Sequence, residues 1–249
     1  AVQADICAPW DITACDINAA RRQLVEKEYG VIVTEDAVQT AKTCKVLVLA
    51  VKPQDMDKLL REIRPALTEK HLLISIAAGK TLAALKKAAG IKPRLVRVMP
   101  NLALLAQEGM SVYCVGQNVK AADKRLAAQL FGSAGAVLEL PEKHFDAVTA
   151  LSGSGPAFVA YFMQAMIEGA LALKLPVDAA VLLAGQTLIG TGIYLQNTGR
   201  ETDEFIKAVS SPKGTTAAGM AVLEQSDLRD VVCRTLAAAA ARSSELKRV

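Results

Sequence analysis

The chain has 249 residues, of which 52% are hydrophobic, only 4% aromatic and 22% charged, with a formal net charge of +4. This aliphatic composition excludes a disordered chain, and five cysteines in a chain of this length exclude a small disulfide-bonded scaffold. The basic residues are scattered, so nucleic acid is not an indicated partner. The odd number of cysteines favours a reduced, cytoplasmic setting, and the only histidines, His71 and His144, do not neighbour a cysteine, so no metal site is expected.

The first half of the chain alternates short apolar runs with helical patterns. Runs typical of β-strands cover residues 12–15, 31–33, 46–51, 72–77, 95–98, 111–115 and 136–140. Between them, Met56, Leu60 and Ile63 have the spacing of one helix face. The run 46–51 is apolar on both faces, which is typical of a parallel sheet covered by helices. Residues 1–141 are therefore predicted to form a doubly wound α/β domain of the Rossmann type.

The second half, residues 142–249, contains no convincing strand and is predicted to be all-helical. Helices are expected over residues 154–174, 178–196 and 203–209, from residue 216, and over residues 228–246. In the first of them apolar side chains such as Phe158, Tyr161 and Ile167 surround the helix instead of lining one stripe. A helix that is apolar all round is buried all round, so this domain is predicted to form an obligate homodimer.

One charge-free stretch, between Asp178 and Arg200, is long enough to cross a bilayer. It also carries the amides Gln186 and Asn197 and several glycines, which a lipid-facing helix rarely carries. We therefore expect a helix buried in a helical core or a subunit interface, and no membrane association.

Two segments follow central strands and would meet at one rim of the sheet, where ligands bind in open α/β folds. Lys52, in residues 50–54, either meets a phosphate or belongs to an ordinary strand-to-helix turn. Pro100 and Asn101 follow the strand 95–98 and either line the same rim or form a simple turn.

Two more segments are candidate anion sites in the second half. Residues 153–156, Gly-Ser-Gly-Pro, either bind an anion at a helix N-terminus or are ordinary helix-start residues. Residues 210–216, Ser-Ser-Pro-Lys-Gly-Thr-Thr, either present backbone N–H groups and hydroxyls to a carboxylate or form a polar turn capped by threonine. No catalytic triad, carboxylate pair or metal cluster is apparent, so an enzyme with this sequence would depend on a cofactor.

Asp16 follows the first predicted strand, where an acidic residue contacts the ribose of a bound dinucleotide. The glycine fingerprint G-x-G-x-x-G lies about 20 residues before such an acid, but that count runs past residue 1, and the fingerprint occurs nowhere in the chain. Either Asp16 is an ordinary loop residue, or the first strand and its glycine turn are missing. In the second case the domain is N-terminally truncated, and its sheet should have a gap at the position of a central strand.

Taken together, these motifs resemble the pyrroline-5-carboxylate reductase family in order and spacing, across nearly the whole chain. They are residues 49–54 (Leu-Ala-Val-Lys-Pro-Gln), 75–79 (Ser-Ile-Ala-Ala-Gly), 97–101 (Arg-Val-Met-Pro-Asn), 145–157 (Phe-Asp-Ala-Val-Thr-Ala-Leu-Ser-Gly-Ser-Gly-Pro-Ala) and 210–216. The resemblance implies reduction of 1-pyrroline-5-carboxylate to L-proline with NADPH or NADH, the last step of proline biosynthesis. It also implies a homodimer built from the C-terminal helices, often assembled further into a decamer.

The resemblance also implies roles for individual residues. The cofactor-binding set is expected to be Asp16, Asn18, Ala50, Val51, Lys52, Pro53, Met99, Pro100 and Asn101. The substrate carboxylate is expected on Ser211, Gly214 and Thr215, largely through backbone N–H groups. Thr216 is expected to hydrogen-bond the ring nitrogen and is the candidate catalytic residue.

Some positions depart from the family pattern. Leu102 and Ala103 replace a common Thr-Pro, Lys213 replaces a frequent Gly, and Ala37 replaces an Asn near the adenosine. Two other hypotheses therefore stay open: a related imine or β-hydroxyacid reductase, and a non-catalytic truncated chain that only dimerises. Asp16 favours NADH, whereas Arg21 and Arg22 favour the 2′-phosphate of NADPH, so the sequence leaves the cofactor open.

Overall fold

The computed structural model describes residues 6–90 and 92–247. The strands are β1 Thr13–Cys15, β2 Ile32–Thr34, β3 Val46–Leu49, β4 Leu72–Ser75, β5 Arg94–Met99, β6 Gly109–Val115 and β7 Gly135–Glu139. The helices are α1 Ala19–Tyr29, α2 Ala37–Thr43, α3 Pro53–Ile63, α4 Leu82–Ala89, α5 Ala121–Gly132, α6 Phe145–Val148, α7 Gly155–Ala172, α8 Val177–Thr198, α9 Thr202–Val209, α10 Thr215–Gln225 and α11 Leu228–Leu246. A 3-10 turn covers Leu102–Ala106 and another Glu142–His144, and a π-helical turn covers Thr149–Gly153. Each predicted strand is present, and residues 142–247 contain none.

Five strands form one sheet in the order β3-β4-β5-β6-β7. The first three of them run parallel, β6 runs antiparallel to β5, and β7 is again parallel to β6. The reversal at β6 has a simple cause, because residues 100–108 are too few for the crossover that a parallel neighbour needs.

The strands β1 and β2 form a separate parallel pair. Within the described residues no strand ladder joins this pair to β3. Val46 and Val48 of β3 are 38% and 49% exposed, whereas all four residues of β4 are buried. The sheet is thus interrupted where the sequence predicted a gap.

Helices cover both faces of the five-stranded sheet. On one face α3 and α4 bury Met56, Leu60 and Leu85 against β3 and β4. On the other, α5 packs against β4, β5 and β6 through Ala127. The strongly amphipathic α3 carries the apolar stripe predicted from its spacing, with Met56, Leu60 and Ile63 all buried. The doubly wound α/β fold expected for the first half is confirmed.

The chain divides into two compact units: the residues up to Ser154 together with those from Ala239 onward, and Gly155–Ala238. The first unit extends past residue 141, where the composition of the chain changes, because Phe145 and Val148 of α6 share a buried cluster with Val112 and Cys114 of β6. Burial raises the pKa of the Cys114 thiol to about 12, so this thiol stays protonated and unreactive at neutral pH.

The second unit is helical and exposes many large apolar side chains. Tyr161 of α7 is 76% exposed and Leu182 of α8 is 70% exposed. By length and composition α8 is apolar enough to span a membrane, with 11% of its most apolar window buried. A soluble chain rarely leaves so large an apolar surface uncovered, which agrees with the predicted subunit interface.

Candidate active site

The candidate cofactor residues of the first unit lie at the carboxyl ends of β3 and β5, which flank β4, and of β1 in the separate pair. After β3 ends at Leu49, Lys52 is the N-cap of α3 and Pro53 is its first residue. No side chain caps α3 among the described residues, and Lys52 is exposed. The helix dipole and the Lys52 ammonium thus place positive charge at this rim, which suits the phosphates of a dinucleotide.

Asn101 follows β5, and its side chain connects the loop after this strand to two other segments of the first unit. Its Nδ2 donates to the carbonyl oxygen of Ser152 at 3.2 Å, and its Oδ1 accepts from the N–H of Met110 at 3.1 Å. Both ends of the amide are therefore engaged by the protein. The sequence predicted Asn101 as a cofactor residue, and the structure gives it a bracing role that sequence reasoning missed.

The π-helical turn Thr149–Gly153 packs against the same loop. A Cβ at Gly153 would stand 2.5 Å from Cε of Met99, so a larger residue here would displace the flexible end of this methionine. The Ser152 hydroxyl is buried and has no hydrogen-bond partner among the described residues. Turns of this kind occur often at functional sites, and a buried hydroxyl without a partner is costly unless a ligand or water satisfies it.

Asp16 and Asn18 lie just after β1, as predicted for the ribose side of a dinucleotide. The Asp16 carboxylate accepts from the Asn18 N–H at 2.8 Å, and Asn18 caps α1 by accepting from the N–H of Arg21 at 3.2 Å. The Arg22 guanidinium donates to the Asp16 carbonyl at 2.7 Å and to Glu35 at 3.0 Å. Arg22 is therefore occupied, and Arg21 is the exposed cation of this turn.

The segment 210–216 belongs to the helical unit and leads into the first turn of α10, which begins at Thr215. Lys213 has φ +59°, the left-handed conformation that favours glycine, and the family often has Gly at this position. The N–H of Gly214 donates to the Ser211 carbonyl at 2.9 Å, and the Ser211 hydroxyl occupies the space that a Cβ at position 214 would need. Gly214 is the N-cap of α10, with no side-chain cap among the described residues.

The first turn of α10 thus presents backbone N–H groups that no side chain satisfies. Thr215 and Thr216 stand in this turn and are exposed, while the Ser210 hydroxyl is buried without a protein partner in the described chain. N–H groups at a helix start together with hydroxyls are a suitable receptor for a carboxylate.

A doubly wound domain with a basic, ligand-accessible rim, followed by a helical domain with an anion-receptive loop, defines a nicotinamide-dependent oxidoreductase of the Rossmann class. Known proteins are similar to both parts. Residues 142–246 match the family model described as pyrroline-5-carboxylate reductase dimerisation, and residues 1–79 match the model described as NADP oxidoreductase, coenzyme F420-dependent.

Similar proteins align along nearly the full chain. A pyrroline-5-carboxylate reductase of Glycine max is 38% identical over 99% of this chain and 89% of its own length. A solved structure of that enzyme from Coxiella burnetii has a TM-score of 0.92 at 32% identity, covering 97% of this chain and 90% of that one. The NADP-bound reductase of Plasmodium falciparum has a TM-score of 0.87 at 28% identity, covering 98% and 90%. The chain belongs to the pyrroline-5-carboxylate reductase family, which confirms the resemblance seen in its motifs.

Proposed function

We propose that the chain reduces 1-pyrroline-5-carboxylate to L-proline with NADPH or NADH. The observation that carries this proposal is the loop 210–216, whose uncapped helix start and hydroxyls suit a small carboxylate, in a member of this reductase family. When bound, the nicotinamide would provide the hydride for the imine carbon. The chain's own residues bind, orient and donate hydrogen bonds.

The dinucleotide is held by the first unit. Lys52 and the start of α3 bind phosphate, Asp16 and Asn18 bind the adenosine ribose, and Ala50, Val51 and Pro53 line the intervening rim. Met99, Pro100 and Asn101 flank the nicotinamide. The buried Ser152 hydroxyl next to this loop supports the assignment, because it has a donor and acceptor free for a ligand.

The substrate is held by the loop before α10. Ser211 and Thr215 bind its carboxylate through backbone N–H groups, and Gly214, whose own N–H donates to the Ser211 carbonyl, shapes the turn that holds it. The Thr216 hydroxyl hydrogen-bonds the ring nitrogen, which becomes an amine during reduction: the hydroxyl oxygen accepts from the N–H of a protonated imine, whereas the hydroxyl donates to a neutral one. A strong acid is dispensable if the imine arrives protonated, so the loop contributes mainly orientation.

Residues 1–141 act as the dinucleotide-binding domain and residues 142–249 as the substrate and dimerisation domain. The homodimer forms through the C-terminal helices, and further assembly to a decamer extends the proposal. The exposed apolar side chains of α7 and α8 support the dimer. A cytoplasmic location is supported by the cysteines, all of which are free thiols.

The direct test follows NADPH and NADH oxidation with pyrroline-5-carboxylate. We expect turnover that needs both cofactor and substrate, and a loss of about 10- to 100-fold in kcat for Thr216→Ala. The matched control is Thr202→Ala, which removes an exposed hydroxyl from the first turn of α9 and should leave kcat unchanged.

Other outcomes identify the other hypotheses. Turnover of a different imine, or of a β-hydroxyacid, in place of pyrroline-5-carboxylate would identify a related reductase. A folded dimer that neither binds a dinucleotide nor turns over any of these substrates would identify a non-catalytic chain.

A further inference from the structure

The end of the last helix is tied to the first unit by one carboxylate. Asp146 in α6 accepts from the Ser243 hydroxyl at 2.8 Å and from the Lys247 ammonium at 2.6 Å. Ser243 lies in the last turn of α11 and Lys247 directly follows this helix, about a hundred residues further along the chain. Asp146 and Lys247 are only 24% and 22% exposed, so their pairing is shielded from water more than a surface ion pair is.

The same end of α11 touches the loop that joins β4 to α4. Gly79 in this loop is buried, has φ +76°, and faces Leu246: a Cβ at position 79 would stand 3.3 Å from the Leu246 carbonyl oxygen. The loop thus approaches the backbone of α11 as closely as glycine allows. We name Asp146, Ser243, Leu246 and Lys247 the C-terminal clasp.

The loop has two further fixed points. Lys80 donates to Asp57 of α3 at 3.2 Å, and the N–H of Leu82 donates to Glu142 at 2.8 Å. Glu142 precedes α6, the helix that carries Asp146. The clasp is therefore a third contact that fixes residues 76–81, beside those made by Lys80 and by Glu142.

This loop leaves the carboxyl end of β4, the strand between β3 and β5. The candidate cofactor residues follow those two strands, so residues 76–81 lie in the middle of the same rim. The conformation of residues 76–81 therefore determines whether a dinucleotide can bind along this rim.

We propose that the C-terminal clasp is a positioning device for dinucleotide binding, in which Lys247 and Ser243 act through Asp146 and Leu246 to hold residues 76–81 in the binding conformation. This inference rests on the proposed function for the identity of the ligand. The clasp residues contact neither cofactor nor substrate in this scheme. Their effect is to reduce the conformational freedom that the loop must lose when the dinucleotide binds.

The test compares single substitutions at and just after the end of α11, made in the full chain. Lys247→Met removes the ammonium and keeps the apolar stem, and Lys247→Arg restores a cation. Arg242→Met is the matched control, because Arg242 lies five residues before Lys247 and pairs with Glu245 at the surface, where it is 68% exposed. The measurements are the NADPH dissociation constant by fluorescence, KM and kcat, and hydrogen–deuterium exchange of residues 76–81.

We expect Lys247→Met to raise the dissociation constant and KM for NADPH about three- to tenfold, with kcat little changed and faster exchange in residues 76–81. Lys247→Arg should restore binding, and Arg242→Met should equal the wild type. Equal NADPH affinity and loop exchange in Lys247→Met and the wild type would overturn the clasp, as would equal losses in Arg242→Met. If the wild type itself binds no NADPH, the proposed function fails, while unchanged loop exchange in Lys247→Met would separately refute the clasp.

Discussion

The buried ion pair between Arg97 and Glu142 gives the sharpest stability prediction. Nη1 of Arg97 lies 2.8 Å from Oε1 of Glu142, and the guanidinium carbon lies 4.5 Å from the ring centroid of Phe145. The partners differ in solvent access, because the Arg97 side chain is 1% exposed and the Glu142 side chain 30%. We therefore expect the two single substitutions to lower the free energy of unfolding by different amounts, although both break the same ion pair.

Glu142→Gln leaves a guanidinium buried without its counter-charge, which costs about 3 kcal/mol of unfolding free energy. Arg97→Met leaves a carboxylate that water reaches and that still accepts from the N–H of Leu82 at 2.8 Å. Methionine also fills most of the space and packs on Phe145, so this change costs about 1–2 kcal/mol. The double variant buries no unpaired charge and should be more stable than Glu142→Gln alone.

Urea unfolding followed by circular dichroism measures these differences in unfolding free energy. They should change the urea concentration at the midpoint and leave the m-value constant. The reasoning is refuted if Arg97→Met is the more destabilising single change, or if the double variant is the least stable of the three. Either result would show that the unpaired buried guanidinium is not the dominant cost of breaking the pair.

Three further predictions concern the loop before α10 and the clasp carboxylate. Gly214→Ala forces a methyl group against the Ser211 hydroxyl and carbonyl, so the KM for pyrroline-5-carboxylate should rise on the order of tenfold while NADPH affinity stays constant. Lys213→Gly relieves about 1 kcal/mol of strain in the left-handed backbone, but glycine also gives the unfolded chain more conformational entropy, which offsets a similar free energy. We therefore expect Tm to change little. The KM for the anionic substrate should rise because a nearby cation is lost. Burial alone would raise the pKa of Asp146, but hydrogen bonds from Lys247 and Ser243 outweigh it and lower that pKa below its usual 3.8. The ionised carboxylate then stabilises the fold above pH 3.8 and loses this effect as pH falls below it, so melts of the wild type and Asp146→Asn should differ at neutral pH and converge in acid.

The features that local patterns encode were predictable from the sequence. The continuous apolar run at β3, the stripe of Met56, Leu60 and Ile63, and the all-round apolar helix after Ser154 each determine an element or a surface by themselves. The motif at residues 210–216 was recognisable because small and hydroxyl residues cluster there. The structure adds their local geometry, including the left-handed Lys213.

The remaining features depend on residues that are distant in sequence. Nothing near Asp146 indicates that Lys247 pairs with it, and nothing near Gly153 indicates that Met99 fills the space beside it. The antiparallel direction of β6 did have a signal, because the connection over residues 100–108 is too short for a crossover. The roles of Ser152 and Asn101 in the candidate site required coordinates, since hydrogen-bond satisfaction has no local sequence pattern.

Residues 142–154 satisfy two different definitions of a domain. By sequence they match the start of the dimerisation family model, and by packing they belong to the first unit, where Phe145 is fully buried. The packing contacts determine the energetic consequences: Glu142 and Asp146 hold β5, α4 and the end of α11 through charged hydrogen bonds. Substitutions at these two carboxylates should therefore weaken the first unit and its dinucleotide affinity, whereas the dimer dissociation constant, measured by sedimentation, should not change. If these substitutions instead weakened the dimer and left the dinucleotide affinity unchanged, residues 142–154 would contribute to the stability of the helical domain, in agreement with the family model.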